Sequence, residues 1–338
     1  MTSPPDVASH AATASRMPSP VLSIVIVSWN DWDKLHNCLV SIYREELPAF
    51  EVVIIDNASS DGTPEQLRAR FPGVDLHCNR RNVGHSKALN LAFARAHGEL
   101  ILVLDQDVEL LRGCVARLLE FLERHPEADL VAPRTFNTDG SVQESARNFP
   151  TPLNGIFGRQ SILTRWFPNN AISRRYLARE NLGASEPFEV EQVGGACMLF
   201  RRRLLSDAGP WDDSFFAYWN DTDWCYRVRA AGKRIFCVPS AEIYHHEMSA
   251  RPKGKRPIRI WRFHYNAYRL YTRWQTLGYW DPRSVLAGLA LLARAGLLIA
   301  YHSLSRGATG AEAAPLVRVE APVVGGSDDE QPTARSGR

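Results

Sequence analysis

Paired cysteines are missing from this 338-residue chain. Its six cysteines, at 38, 78, 114, 197, 225 and 237, form no CxxC pair and no metal-finger spacing. That excludes a zinc-ribbon module and argues against a disulfide framework, so a reducing compartment fits the composition. Charge imbalance is missing as well. Forty Lys/Arg against 37 Asp/Glu leave a formal charge of +3, too little to imply nucleic acid, and no such partner is expected. The first residues carry no apolar run behind a basic start, so 1–20 reads as a flexible leader and not a secretory signal. Internal repeats are absent too. The stretch 306–338, rich in Ala, Gly, Pro and charge, reads as a disordered tail.

What is present is ordinary globular composition, 45% hydrophobic and 23% charged, with length enough for one large domain or two modest ones. LSIVIVS (22–28), EVVIID (51–56) and LILVL (100–104) are continuous β-branched or aliphatic runs, the mark of strands buried on both faces. Shorter strands are expected at 74–78 and 130–133, and helices at 33–45, 64–71, 84–97 and 113–124. Such alternation predicts an α/β fold with a mostly parallel central sheet flanked by helices. Ligands of such sheets bind beyond the carboxyl ends of the strands, where Asp56 and Asp105 stand. Residues 135–190 lack a clear period and read as loops and short helices covering a site. Strands follow at 196–200, 235–238 and 243–246, with helices at 221–231, 258–277 and 283–303.

Four constellations carry chemistry. Asp105-Gln106-Asp107, just past a buried strand, can share a hard divalent cation through carboxylate oxygens. DNASSDGT (56–63) is first of all a turn with a cap for the next helix, with Asp56 a candidate ligand contact. In His245-His246, side chains alternate if the segment is a strand, so one histidine can complete the metal shell and the other stands by. Asn220-Asp221-Thr222-Asp223 opens a helix, and capping would account for all its polar residues. Capping does not account for the crowd of Phe215, Phe216, Tyr218, Trp219 and Trp224, which suits a sugar-stacking wall around a carboxylate base.

The order of these motifs is more specific than any one of them. VLSIVIVSWN (21–30), EVVIIDNASSDGT (51–63), RNVGHSKALNLA (81–92), LVLDQDVEL (102–110), VGGACMLFRRRLL (193–205), the stretch 209–239 and IYHHEMSA (243–250) follow one another along 21–249. Together they resemble the family 2 inverting glycosyltransferases of GT-A fold, and within them the bacterial rhamnosyltransferase-like branch. The resemblance implies a catalytic domain over 21–250, with a nucleotide-binding half (21–134) and an acceptor half (135–250). It implies nucleotide contacts from Ser28, Asn30, Asp56, Asn82, Lys87 and Asp105. It further implies a Mg²⁺ or Mn²⁺ ion on Asp107, Asp105 and His245, with Asp107 first as direct ligand. Asp221 becomes the catalytic base, and Trp219, Asn220, Asp223 and Trp224 the acceptor contacts. Relatives carry Glu-Asp or Asp-Asp where this chain reads Asn220-Asp221.

The expected reaction moves a sugar, most simply rhamnose from dTDP-L-rhamnose, to a hydroxyl of a glycan or polyprenyl-linked saccharide in cell-envelope polysaccharide synthesis. A UDP-sugar donor and a catalytically inactive nucleotide-sugar binder are the alternatives. A nucleotidyltransferase would need a Gly-rich basic loop after the first strand, where SWNDWDK stands. Processive relatives carry QxxRW; LYTRW (270–274) lacks the Gln, so addition of one or a few sugars is expected. Segment 251–283 holds nine Lys/Arg and one Asp among many aromatics, and 285–301 is apolar but interrupted by Arg294. This C-terminal helical extension (251–305) reads as a core-packing pair, a peripheral membrane contact through 251–303, or a span. The second reading places the protein in the cytoplasm at the inner face of the cell membrane.

Overall fold

The computed structural model of the chain describes residues 20–151, 166–167, 170–246, 257–278 and 280–308. The expected leader, but for residue 20, and positions 309–338 of the expected tail lie outside them. The first half alternates as its periodicities require: β1 (Leu22–Ser28), α1 (Trp32–Tyr43), β2 (Phe50–Asp56), α2 (Thr63–Arg70), β3 (Asp75–Cys78), α3 (His85–Arg95) and β4 (Leu100–Asp105). Then come β5 (Val108–Leu110), α4 (Cys114–Arg124), β6 (Leu130–Phe136), β7 (Val142–Gln143), α5 (Ala171–Tyr176), β8 (Phe188–Val190), β9 (Cys197–Arg201) and α6 (Leu204–Asp207). The chain continues through α7 (Asn220–Ala230), β10 (Ile235–His245), α8 (Pro257–Trp274) and α9 (Pro282–Ala308).

One sheet carries all ten strands in the order β3-β2-β1-β4-β9-β6-β10-β5, with β7 beside β6 and β8 beside β10. The apolar runs are continuous because both faces are covered. Ile24, Ile26, Ile54, Leu102 and Leu104 pack with Leu35 and Leu39 of α1 and Leu118 of α4. Their neighbours Val25, Val53, Ile55, Ile101 and Val103 pack on the other side with Leu89 of α3 and Trp224 of α7. Parallel pairing sets Ser28 opposite Asp56 and Val27 opposite Asp105, so the carboxyl ends of β1, β2 and β4 stand level.

Three features depart from the sequence expectation. β9 runs antiparallel to both β4 and β6, joining the two halves in one sheet. The two short strands expected near 235–246 are one strand with a register shift between Val238 and Glu242, so its end reaches β5. α9 also continues to Ala308, which makes 306–308 helical and not part of a tail.

α8 is spent largely on the loop before α7. Asn266 Nδ2 donates to Ala217 O at 2.9 Å, and Trp219 Nε1 donates to Phe263 O at 3.0 Å. Arg262 lies 4.2 Å from the Phe216 ring centre and Arg269 4.8 Å from that of Phe215. Arg273 pairs with Asp212 at 2.6 Å and Asp223 at 3.2 Å. Burial works against the Asp212 carboxylate, but hydrogen bonds from Ser214 and Arg273 outweigh it and hold the carboxyl down at about 2. Its folded value lies below the ordinary unfolded value of about 3.9. The stabilisation is therefore full above about pH 4 and lost as pH falls toward 2. In urea unfolding, the stability gap between the wild type and Asp212→Asn should be open at pH 6 and close by about pH 2. A gap independent of pH would contradict this pairing.

Candidate active site

At the level carboxyl ends, three loops are tied together by short polar links. Asn30 and Asp31 enter α1 with φ of 56° and 65°. Asn30 N donates to Ser59 Oγ at 2.7 Å, and Ser60 N donates back to Asn30 Oδ1 at 2.8 Å. Ser59 in turn donates to both oxygens of Asp56, from N at 2.9 Å and from Oγ at 2.5 Å. Gln106, the spacer of the DQD triplet, donates to Asn30 O at 2.9 Å and accepts from Trp29 N at 2.8 Å. A spacer residue offers the sequence reader no signal of this, because its work is done across loops.

That lacing encloses two of the residues expected to touch the nucleotide. Asp56 is 1% exposed with both oxygens taken by Ser59, so it caps the turn, and Ser28 is fully buried within the sheet. Asn30 and Asn82 remain partly exposed and Lys87 exposed, and Asn82 Oδ1 accepts from Gly84 N at 2.9 Å.

Asp105, Asp107 and His245 converge from β4, the following turn and the end of β10, with ligand atoms within 4.8 Å of one another. His245 Nε2 lies 3.3 Å from Asp107 Oδ1 and 4.0 Å from Asp105 Oδ2. On the other edge of the ring, Nδ1 is 3.0 Å from Gln143 Oε1. An amide oxygen only accepts, so Nδ1 carries a proton and Nε2 is the atom that can face a cation. Burial raises the Asp107 carboxyl, but His245 and Lys34 outweigh it and hold it below its usual range. Two carboxylates and an imidazole oriented from behind fit a divalent ion. His246 turns away to Glu109, at 3.0 Å. Gln143 comes from β7, in the aperiodic stretch, and nothing in the sequence marks it.

The opposite wall is the start of α7. Tyr218 and Trp219 precede it with φ of 66° and 65°, unusual backbone for bulky residues. Trp219, not Asn220, occupies the cap position and no side chain caps the helix. Asp221 instead accepts from Thr222 N at 2.8 Å within the first turn, and from Gly195 N at 3.3 Å. The next residue, Ala196, accepts from Asp105 N at 2.9 Å, so the Gly194–Gly195–Ala196 corner joins both walls. Behind Asp221 lies Arg147; burial disfavours its charge, but Tyr176 and Asp221 push its pKa up.

Two residues expected on the acceptor side are buried here. Trp224 is fully buried, stacked on Trp211 with centroids 5.5 Å apart. The Asp223 side chain is 1% exposed between Arg227 at 3.0 Å and Arg273 at 3.2 Å. Two residues along the helix turn Asp223 to the far side from Asp221, while Trp224 enters the core against Trp211. Asn220 Nδ2 meets His85 Nδ1 at 3.0 Å, and Trp219 is held by α8. His85, at the start of α3, also approaches Asp105 Oδ1 at 3.3 Å.

Comparison with known proteins now has geometry to rest on. Residues 23–208 match the sequence model of "Glycosyl transferase family 2". N-acetylglucosaminyl-diphospho-decaprenol L-rhamnosyltransferase of Mycobacterium tuberculosis is 30% identical over 298 residues, covering 85% of this chain and 93% of that one. Among solved structures, GalNAc-T7 with UDP, GalNAc and Mn²⁺ superposes with a TM-score of 0.53 at 17% identity, over 85% of this chain and 58% of that one. A mannosyltransferase from Pyrobaculum calidifontis with GDP-Man and Mn²⁺ gives 0.50 at 20% identity, over 86% and 80%. These likenesses at low identity speak to the fold, and the fold is GT-A. By its sequence match, its near-full-length relative and its architecture, this chain belongs to glycosyl transferase family 2 and is a glycosyltransferase.

Proposed function

We propose that this enzyme transfers L-rhamnose from dTDP-L-rhamnose, with inversion, to a hydroxyl of a polyprenyl-linked saccharide in cell-envelope polysaccharide synthesis. The observation that carries it is the meeting of the Asp105–Asp107–His245 cluster with Asp221 across one Gly-Gly-Ala corner. The rhamnosyl donor and lipid-linked acceptor are supported by the relative from M. tuberculosis, named for that reaction and aligned over 85% of this chain. A UDP-sugar on the same scaffold is the alternative donor.

Asp221 is assigned as the base. It takes the proton of the acceptor hydroxyl as that oxygen bonds the anomeric carbon and the bond to the diphosphate oxygen breaks. One displacement inverts the centre. Asp105, Asp107 and His245 would hold Mg²⁺ or Mn²⁺, which supplies Lewis-acid stabilisation of the diphosphate. Asn30, Asn82 and Lys87 are assigned to the nucleotide side, and Trp219 and Asn220 to the acceptor side.

A thermal-shift panel of nucleotide sugars with Mn²⁺ tests the donor, since a ligand bound only by the native state raises the melting temperature by mass action. dTDP-L-rhamnose should give the largest shift and release dTDP with a lipid-linked acceptor; a larger shift with a UDP-sugar would replace it.

The membrane contact is assigned to α9. Pro282–Tyr301 is long and apolar enough to cross a membrane by length and composition, with mean hydropathy 1.8 and 11% of the window buried. Leu286, Leu289, Leu292 and Leu297 are all more than half exposed, while Ala295 and Ser284 pack inward. An outward apolar face on a helix anchored by its other face suits a contact lying in the bilayer surface. The full chain should float with anionic liposomes at low salt, and a chain that stays at the bottom of the gradient would remove this assignment.

A further inference from the structure

His85 opens α3, and its ring touches both walls of the site. Nδ1 lies 3.0 Å from Asn220 Nδ2, and Nε2 lies 3.3 Å from Asp105 Oδ1. The ring stands edge-on to Trp211, with centroids 6.0 Å apart. Its backbone is fixed on both sides. His85 N donates to Phe216 O and Ser86 Oγ donates to Phe215 O, both at 2.8 Å. Gly84 permits this approach, because a Cβ there would lie 2.8 Å from Phe216 Cδ2 and 2.9 Å from its carbonyl oxygen. The imidazole therefore has little freedom to turn.

Hydrogen-bond direction then decides its form. An amide nitrogen only donates, so Asn220 requires Nδ1 to accept. The single proton of a neutral ring then sits on Nε2, the atom that stands 3.3 Å from Asp105 Oδ1. Asn220 donates on one edge of the ring, and Asp105 lies within reach of the other. A carboxylate at 220 can only accept. Nδ1 would then have to carry a proton, and the neutral Nε2–H form of the ring would be lost.

We propose that His85 is a positioning residue, held by Asn220 in its Nε2–H form, which engages Asp105 Oδ1 and leaves Oδ2 facing Asp107 and His245. The amide at 220 is thus the matched partner of His85 and not the remnant of a lost acid. Only the use made of Asp105 Oδ2 rests on the metal reading above.

Two measurements test it. In long-range ¹H–¹⁵N imidazole spectra of the metal-free protein, the His85 signal is identified by its loss in His85→Gln. It should show the Nε2–H pattern in the wild type and leave that pattern in Asn220→Asp. An Nδ1–H wild-type ring overturns the proposal. The second measurement is Mn²⁺ affinity, read by electron paramagnetic resonance on proteins whose folding is checked by circular dichroism. Outer-shell partners of a metal site are worth roughly 10–100-fold in affinity. His85→Ala should therefore weaken binding by at least roughly 10-fold. Asn220→Asp should weaken it in the same direction, and His85→Gln, which restores a donor toward Asp105, should recover much of the loss. The double variant Asn220→Ala/His85→Ala should be no weaker than His85→Ala alone. Losses that multiply, or an Asn220→Asp protein that binds Mn²⁺ as tightly and transfers faster, defeat the proposal. If the wild type binds no Mn²⁺, the metal reading falls and the ring tautomer alone decides this one.

Discussion

Asp221→Asn should lower transfer by about 10²–10⁴-fold, the usual worth of a positioned base, while the nucleotide sugar still shifts the melting temperature. The substitution keeps shape and can still accept from Thr222 N, giving up only the longer bond from Gly195 N. What it removes is the capacity to take the acceptor's proton. Asp223→Asn provides the contrast two residues away. Its carboxylate is buried between Arg227 and Arg273, so its loss should appear in unfolding rather than in the chemical step. A fully active Asp221→Asn protein would end the assignment, and equal loss of donor binding would show that the change had disturbed the fold.

Chelation should be as severe. EDTA should abolish transfer and Mg²⁺ or Mn²⁺ restore it, because the leaving charge of the diphosphate is assigned to an ion that these three residues would hold. Gln143→Ala is the sharper form of the experiment. Gln143 is not itself in the cluster, yet it decides which nitrogen of His245 faces the carboxylates. Its removal should weaken Mn²⁺ binding by roughly 10–100-fold, measured as the Mn²⁺ concentration that restores half the rate after chelation. Full activity in metal-free protein would remove the metal from the mechanism altogether.

How legible was this in the sequence? The sheet was, because a strand buried on both faces has to be written almost wholly in aliphatic residues, as in LSIVIVS and LILVL. The turn at the end of β4 and the helix of Asp221 were equally plain, since acids placed right after or among apolar residues stand out. What pattern cannot show is direction within a helix turn. Asp221, Asp223 and Trp224 are near neighbours in the chain, yet the last two are buried and Asp221 is partly exposed. Nor can pattern show contacts made across the sheet. Gln106, Gln143 and His85 are ordinary residues until three separate loops bring them beside Asn30, His245 and Asp105. The antiparallel β9 was hidden for a similar reason: a short apolar run has no direction written in it.

The grip of α8 on the loop ahead of α7 also sets the boundary of the catalytic unit. Two successive bulky residues in left-handed conformation cost roughly 1–3 kcal/mol each, and a loop so strained relaxes once its clamps are gone. Among the clamps here are Phe263 O and Asn266, with Arg273 below them. They lie well beyond residue 208, where the family match ends. A truncation meant to test the proposed membrane contact of α9 would therefore have to cut after Trp274. Any earlier cut would also release the loop ahead of α7.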